Sequence, residues 1–307
     1  MVRSLKISVF LVCMSLSVVS CKTGSVSSAT TKPLAKYVVL IGSDGFGAYA
    51  FEKGNFPNLR KMMDKGSYSL EARSVLPSSS AVNWASMIMG SPPELHGYTE
   101  WGSKTPEIPS RIIGKGGIYP SIFSLLNEQV PNEKKGVIYT WGGIGYLFEK
   151  NMVDMDVNGA SDEETMKTAL DFITNEKPVF TFIHFSEPDN TGHSIGHDIP
   201  EYYVAAEKID LLIGKILAGL EDANMMDDTV ILFSADHGGI NKGHGGKTLV
   251  EMEIPWIIYG SNIKAKGKLN STIITYDTAA TIAHILGLET PEFWRGKNIT
   301  EVFENEK

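Results

Sequence analysis

Five predominantly apolar, non-alternating runs of strand length, separated by stretches of helical patterning, constrain this chain more than any other feature. They fall at residues 36–42, 136–141, 178–185, 229–234 and 255–259. A strand with one face in water alternates polar and apolar side chains. A run that is apolar at successive positions is buried on both faces, as in a parallel sheet. Between the runs lie helical patterns at residues 58–65, 120–129 and 162–175. The second has Pro120 suited to a first helical position, and the third opens on an acidic turn. The longest pattern, residues 201–221, aligns Ile209, Leu212, Ile216 and Leu220 on one stripe. A last one starts at Asp277, runs through Ala279, Ile282, Ala283, Ile285 and Leu286, and stops at Gly287. Strands alternating with helices predict an α/β fold: a three-layer α/β/α sandwich around a largely parallel central sheet. A chain of 307 residues, 42% hydrophobic, suffices for one large domain of this kind. No repeat or second domain is visible, and residues 91–119, rich in Gly, Pro and Ser, read as loops over one end of the sheet.

The N-terminal segment reads differently. Arg3 and Lys6 precede an apolar stretch at residues 7–19, which has the length of a secretory signal and is short for a membrane span. It ends in Val18-Val19-Ser20-Cys21, which resembles a bacterial lipoprotein processing site and predicts lipid on Cys21. Residues 1–21 are then the lipoprotein signal peptide, residues 22–36 a flexible tether rich in Ser, Thr, Ala and Lys, and residues 37–307 the catalytic domain. The only other cysteine, Cys13, lies in the removed segment, so no disulfide is expected. The expectation is an exported protein, lipid-anchored to a bacterial membrane and facing the periplasm or the cell surface. A net charge of −8 without a basic cluster argues against a nucleic-acid-binding surface.

In an open α/β sheet, ligands collect where strands end at their carboxyl edges. Ser43-Asp44-Gly45-Phe46-Gly47 follows the first run; alone, Asp44 is as readily a turn aspartate beside permissive glycines. Glu187-Pro188-Asp189 continues through His193 to His197 after the third run. Carboxylate and imidazole suit zinc, and a four-residue spacing lets Asp189 and His193 converge on one ion in a tight turn. His184, inside the run, reads as a core histidine, and His197 as a loop residue or a group behind the ligands. After the fourth run come Asp236-His237-Gly238-Gly239 and Gly243-His244-Gly245-Gly246. Their glycines allow the close backbone approach that a crowded metal site needs; the bland alternative is a flexible Gly-rich loop. Finally, Pro77-Ser78-Ser79-Ser80 leads into a helix expected over residues 83–89. A hydroxyl there sits in the helix-dipole field, which favours an anion, and a nearby metal would acidify it further. Alternatively, one of these serines is an N-cap.

In this order the segments resemble the alkaline phosphatase superfamily, and within it the type I phosphodiesterase/nucleotide pyrophosphatase family. The matching pieces are Ser43-Asp44-Gly45, residues 77–97 closing in Glu94-Leu95-His96-Gly97, residues 187–193, residues 234–238, and Gly243-His244-Gly245. The similarity spans residues 37–288. It implies an alkaline phosphatase-like fold and two divalent metal ions, Zn2+ foremost. Carried over position by position, Asp189, His193 and His244 would hold one ion. Asp44, Asp236 and His237 would hold the other, with Ser80 bound there as nucleophile. His244 lies nearer the Asp-His pair than the family's last histidine does. The family also has an asparagine shortly after the His-Gly, whereas here His96-Gly97 is followed by Tyr98-Thr99-Glu100-Trp101. Oxyanion stabilisation would then fall to Asn83, a backbone amide near Ser80, or the metals. With no large inserted cap, substrate selection would rest on residues 91–119 and 141–156.

The implied activity is metal-dependent hydrolysis of a small phosphate ester, of phosphodiesterase/nucleotide pyrophosphatase type. Ser80 would attack phosphorus in line, and water would release the resulting phosphoseryl group. A phosphomonoesterase of alkaline phosphatase type is the nearest alternative. A non-catalytic surface binding lipoprotein is more distant, because an inactive descendant would be free to lose ligands. A sulfatase is disfavoured, since Ser80-Ala81-Val82-Asn83-Trp84 lacks the x-Pro-x-Arg that follows that family's modified residue. A mutase is disfavoured by the export signal.

Overall fold

The structure is a computed structural model and describes residues 32–303 together with Val2. The signal segment with Arg3, Lys6 and Cys13, the lipidation position Cys21, and the tether up to residue 31 lie outside the described residues. No described helix is long and apolar enough to cross a membrane.

The strands are β1 (Tyr37–Ser43), β2 (Ser67–Arg73), β3 (Lys135–Tyr139), β4 (Met155–Asn158), β5 (Phe180–Phe185), β6 (Thr229–Ser234), β7 (Glu253–Gly260) and β8 (Gly267–Lys268). They form one 8-stranded sheet in the order β4-β3-β5-β1-β6-β7-β2-β8. From β4 to β6 every pairing is parallel. The strand β7 runs antiparallel to both β6 and β2, and β8 pairs parallel with β2. The central strands β5 and β6 are buried at every position, and β1 at all but its first, the burial that non-alternating apolar runs require.

Three strands have no counterpart in the hydropathy pattern. In β2, Ser67 and Ser69 are among the residues facing inward, so the buried face is partly polar. Ser67 is satisfied there by donating its hydroxyl to Lys264 O at 2.8 Å. Strands β4 and β8 are too short to show a period.

The helices are α1 (Ala50–Lys53), α2 (Pro57–Lys65), α3 (Ser80–Met89), α4 (Pro93–His96), α5 (Ile122–Gln129), α6 (Asp162–Glu176), α7 (Asp189–Ser194), α8 (Pro200–Asp222), α9 (Leu249–Met252) and α10 (Asp277–Ile285). Helices α2, α6 and α8 pack side by side in one outer layer. In the other, Trp84 of α3 and Phe123 of α5 meet Phe182 and Phe180 of β5, at 5.7 and 5.3 Å between ring centroids, and α10 packs against α3. Two helix starts differ from expectation. Helix α5 begins at Ile122 rather than at Pro120, because Ser121 caps it by accepting the Phe123 amide at 3.1 Å. Helix α3 begins at Ser80 rather than Asn83. Helix α2 has no capping side chain of its own. Buried Asp210, from α8, accepts the amides of Asn58 and Leu59 at 3.1 and 2.8 Å. Residues 91–119 hold α4 and no other regular element. The chain reaches β1 across the opposite end of the sheet, where Leu34 N–H donates to Ile285 O at 2.8 Å and Lys36 N–H to Asp228 O at 3.0 Å.

Candidate metal centre

Because β5, β1 and β6 are adjacent and parallel, the segments that follow them leave the same sheet edge side by side. Asp44 follows β1, Asp189 and His193 sit on α7 just after β5, and Asp236, His237 and His244 follow β6. Asp189 and His193, expected in a tight turn, occupy successive turns of this short helix. Backbone contacts lock the segments together. The Asp189 amide donates to Asp44 O at 3.1 Å, and the Gly45 amide to Asp236 Oδ1 at 3.1 Å. Gly45 has φ of +66°, and a Cβ placed on it would lie 2.7 Å from the Asp189 Cβ, so only glycine allows this crossing.

The potential ligand atoms of Asp189, His193 and His244 all lie within 4.8 Å of one another. His193 Nε2 is 3.3 Å from Asp189 Oδ2 and 3.1 Å from His244 Nε2. On the far side of each ring, His193 Nδ1 meets Lys242 O at 3.0 Å and His244 Nδ1 meets Ser78 O at 3.2 Å. A carbonyl only accepts, so we assign the protons to Nδ1. Both Nε2 lone pairs then face one another beside a carboxylate, which repels unless a proton or a metal cation lies between them. Consistently, the Asp189 hydrogen bond raises the pKa of His193, while burial and the His237 charge lower that of His244 to about 4.

The second group surrounds His237. Its Nε2 lies 3.1 Å from Asp236 Oδ2, 3.4 Å from Asp44 Oδ1 and 3.2 Å from Ser80 Oγ, while its Nδ1 donates to Gly238 O at 2.8 Å. Asp189 also belongs here, within 4.8 Å of Asp44 and His237. The rings of His237 and His244 stack with centroids 3.7 Å apart, so the two groups adjoin. Asp44 Oδ1, Asp189 Oδ1 and Asp236 Oδ2 are buried without a hydrogen-bond partner. Such oxygens are rare and unfavourable. Three of them among imidazole nitrogens fit the donor set of divalent cations. In the metal-free protein, burial opposes charge on His237, but Asp236, Asp189 and Asp44 outweigh it and raise the imidazole to about 10. Burial and the nearby Asp44 carboxylate push Asp236 up to about 6. Burial also opposes the Asp44 charge, but the His184 hydrogen bond and the His237 charge prevail and hold it at about 2.

Two groups behind the ligands carry roles that the sequence did not suggest. His184 lies in the core as expected, yet its Nε2 donates to Asp44 Oδ2 at 3.1 Å. Trp84 Nε1 donates to the same oxygen at 3.3 Å. Together they aim Asp44 Oδ1 at His237. Both side chains are fully buried aromatics, indistinguishable from packing residues by pattern alone. His197 is buried with Nε2 3.8 Å from Asp189 Oδ1, behind the ligands rather than in a solvated loop.

Of the three serines, Ser80 is the one whose hydroxyl faces His237. Ser78 Oγ donates to Gly246 O at 2.7 Å, and Ser79 is the N-cap of α3, its hydroxyl buried and unbonded. Asn83 departs from the expected oxyanion role. Its Oδ1 accepts the Val75 amide at 2.7 Å, and its Nδ2 reaches the carbonyls of Val75, Pro77 and Ser79 at 3.3, 3.1 and 3.1 Å. Both ends of the amide are committed to the loop that delivers Ser80. A cleft of about 540 Å³, lined in part by Ser79, Glu100, Trp101, His193 and His244, opens onto the first group. A larger cavity of about 750 Å³ beside α7 and α8 contains none of the ligand candidates.

A family model described as type I phosphodiesterase / nucleotide pyrophosphatase matches residues 38–253, from β1 to the start of β7. Ectonucleotide pyrophosphatase/phosphodiesterase family member 1 of Mus musculus is 27% identical over 216 residues, covering 65% of this chain and 24% of the relative. The venom phosphodiesterase of Macrovipera lebetinus is 24% identical over 266 residues, covering 74% and 27%. The chain thus spans about a quarter of the length of these relatives. Among solved structures, an inactive form of murine ectonucleotide pyrophosphatase/phosphodiesterase 5 in complex with AMP superposes with a TM-score of 0.73 at 15% identity, covering 88% of this chain and 100% of that one. A phosphonate monoester hydrolase from Silicibacter pomeroyi superposes with a TM-score of 0.65 at 14% identity, covering 86% and 76%. These superpositions establish the shared fold.

Proposed function

We propose that this chain, which belongs to the type I phosphodiesterase/nucleotide pyrophosphatase family, is a hydrolase of small phosphate esters that binds two Zn2+ ions and uses Ser80 as its nucleophile. The observation that carries this reading is the convergence of three partnerless buried carboxylate oxygens with His193, His244 and His237 at the spot where the Ser80 hydroxyl points. Asp189, His193 and His244 would hold one ion. Asp44, Asp236 and His237 would hold the other, with Asp189 between them. Bound there, the ions would neutralise phosphoryl charge and favour the ionised serine.

The protein's own groups arrange the rest. Helix α3 directs its positive end at the Ser80 oxygen. Asn83 fixes the loop before it, and His184 and Trp84 hold Asp44 in register. With no Lys or Arg lining the cleft, the site would rely on the amides at the start of α3 and on the ions for the phosphoryl oxygens. The names of the relatives, phosphodiesterases and nucleotide pyrophosphatases, support a diester or pyrophosphate substrate. The protein would act outside the cytoplasm, held to the membrane by lipid on Cys21.

The deciding experiment measures metal content of the purified protein and compares its hydrolysis of bis(p-nitrophenyl) phosphate and p-nitrophenyl phosphate, before and after chelation and zinc reloading. We expect about two zinc ions per chain and a preference for the diester. A preference for the monoester would replace this reading with the phosphomonoesterase one. Neither tightly bound metal nor hydrolysis of either ester would refute it and leave a binding lipoprotein.

A further inference from the structure

We propose that the Ser79 hydroxyl donates a hydrogen bond to a non-bridging oxygen of the substrate phosphoryl group, at a site where no other buried side chain is free to do so. This rests on the hydrolase reading of the site and adds a residue to it.

Ser79 occupies the N-cap position of α3 in the extended conformation usual there, with φ −144° and ψ 160°, yet its side chain makes no capping bond. A serine at that position ordinarily accepts the amide of the second or third helical residue. Here the second, Ala81, donates instead to Trp101 O at 3.0 Å. The third, Val82, donates its amide to no group among the described residues. Ser79 is 4% exposed, and its Oγ has no partner. A buried hydroxyl without one is uncommon in a folded protein. The backbone is pinned on both sides. Ser79 N–H donates to Pro77 O at 2.8 Å, and Ser79 O accepts the Asn83 amide at 3.0 Å and Asn83 Nδ2 at 3.1 Å. The side chain keeps one torsion with three staggered positions, enough to turn the hydroxyl onto an acceptor brought into the cleft.

Ser79 lines the cleft with His193 and His244 and immediately precedes Ser80. The other groups on that wall are committed or unsuited. Thr99 Oγ1 meets Glu107 Oε2 at 3.2 Å, a carboxylate such as Glu100 only accepts, and the two histidines are ligand candidates. Trp101 carries an N–H, but its side chain stands in water, where a hydrogen bond is weaker than in a closed site. Asn83, expected to serve the phosphoryl oxygens, is bonded to the loop at both ends of its amide. An anionic oxygen accepts hydrogen bonds and offers none, so it suits a hydroxyl that has found no acceptor in the protein. A phosphoryl group in attack range of Ser80 brings such oxygens to the neighbouring residue. A preorganised donor contributes most in a site of this kind, closed to water.

Sulfur in place of one non-bridging oxygen tests the contact, because sulfur accepts hydrogen bonds poorly. The substrates are methyl p-nitrophenyl phosphate and the separated Rp and Sp forms of methyl p-nitrophenyl phosphorothioate, offered to the zinc-loaded protein. Ser79→Ala should lower kcat/KM on the oxygen ester by about 10²-fold. It should matter far less for the thio form whose sulfur already lacks the bond, so the Rp/Sp ratio should shift by about tenfold or more. Ser79→Thr retains the hydroxyl and should retain most of the activity. Zinc content and the urea midpoint should not fall in Ser79→Ala, since the hydroxyl makes no bond in the free protein. A loss within about threefold on the oxygen ester overturns the proposal. An equal loss on all the esters overturns it too, and marks Ser79 as structural. As a reading independent of turnover, titration calorimetry with inorganic phosphate should show weaker binding in Ser79→Ala. If the wild-type protein cleaves none of the esters, the hydrolase reading falls and phosphate decides alone: weaker binding in the variant upholds the anion contact, and equal binding overturns it.

Discussion

Replacing His184 with Phe should loosen the metal site without emptying the core. The imidazole is fully buried in β5, its Nδ1 has no partner, and its Nε2 donates to Asp44 Oδ2 at 3.1 Å. Phe fills similar space and removes an unsatisfied nitrogen. It also removes the shorter of the two bonds that orient Asp44, leaving Trp84 Nε1 at 3.3 Å. A hydrogen bond to a charged group contributes about 1.5–3 kcal/mol, but Asp44 is ionised with and without metal, so much of that loss is common to both states. What differs is orientation, since the metal-bound state alone needs Oδ1 pointed inward. Loss of a group that orients a ligand typically weakens metal binding about 10- to 100-fold. Competition of the wild-type and His184→Phe proteins against a chromophoric chelator at neutral pH measures this. Urea unfolding in EDTA measures the remainder, expected at about 1–2 kcal/mol. A zinc affinity within about twofold of wild type would show that His184 does not position Asp44, whatever happens to stability.

Four further outcomes are expected. Ser80→Ala should lower turnover by about 10³-fold or more while zinc content persists, whereas Ser78→Ala, which removes a bond to Gly246 O, should leave most of the activity; equal losses in the two variants would argue against Ser80 as nucleophile. Asp210→Ala should destabilise the protein by about 3 kcal/mol in urea unfolding, because it orphans the buried amides of Asn58 and Leu59, and a change below about 1 kcal/mol would contradict the capping role. His96 is held near a pKa of about 3 by burial, so between there and an unfolded value near 6.5 only the unfolded chain carries the proton, and stability falls as pH falls. From pH 7 to pH 5 this group alone should remove about 2 kcal/mol, and His96→Gln should flatten that slope in urea midpoints measured in EDTA. Cys21→Ala should move the protein out of the membrane fraction or block its processing, and unchanged fractionation would rule out the lipid anchor.

The parallel centre of the sheet was legible because burial on both faces leaves a run of successive apolar residues, as in Val230 to Phe233. Strand β2 was not, because it buries serines whose hydroxyls find hydrogen-bond partners, and hydropathy is blind to a satisfied polar group. The ligand candidates stood out as Asp and His concentrated among glycines just past strand ends. The structure brings Asp44, Ser80, Asp189, His193, Asp236, His237 and His244 together. Asn83 misled for a physical reason: a side-chain amide near a hydroxyl at a helix start can serve a substrate or the adjoining backbone, and only the fold reveals the Val75 amide 2.7 Å from its Oδ1. The bonds of His184 and Trp84 to Asp44 were hidden for the opposite reason, since a buried aromatic with one polar atom looks like packing until its partner is placed. The sharing of Asp189 by both groups depends on how close β1 and β5 hold their ends, a distance that no spacing along the chain encodes.

Strand β1 is the axle of this arrangement. The chain arrives at its lower end past Leu34 and Lys36, and Asp44 follows its upper end. Seven residues of extended chain put about 23 Å between the two. Anything that grips the segment before residue 32 therefore grips the floor of the domain, and the cleft opens on the opposite side. Leu34 to Lys36 are held on that floor, so a flexible tether over residues 22–31 would have a typical reach of about 17 Å, less than the height of the domain above it. Anchored in that way, the protein would stand on its bilayer with its mouth turned towards the surrounding fluid. It would sample dissolved esters diffusing past rather than the headgroups of the membrane that holds it.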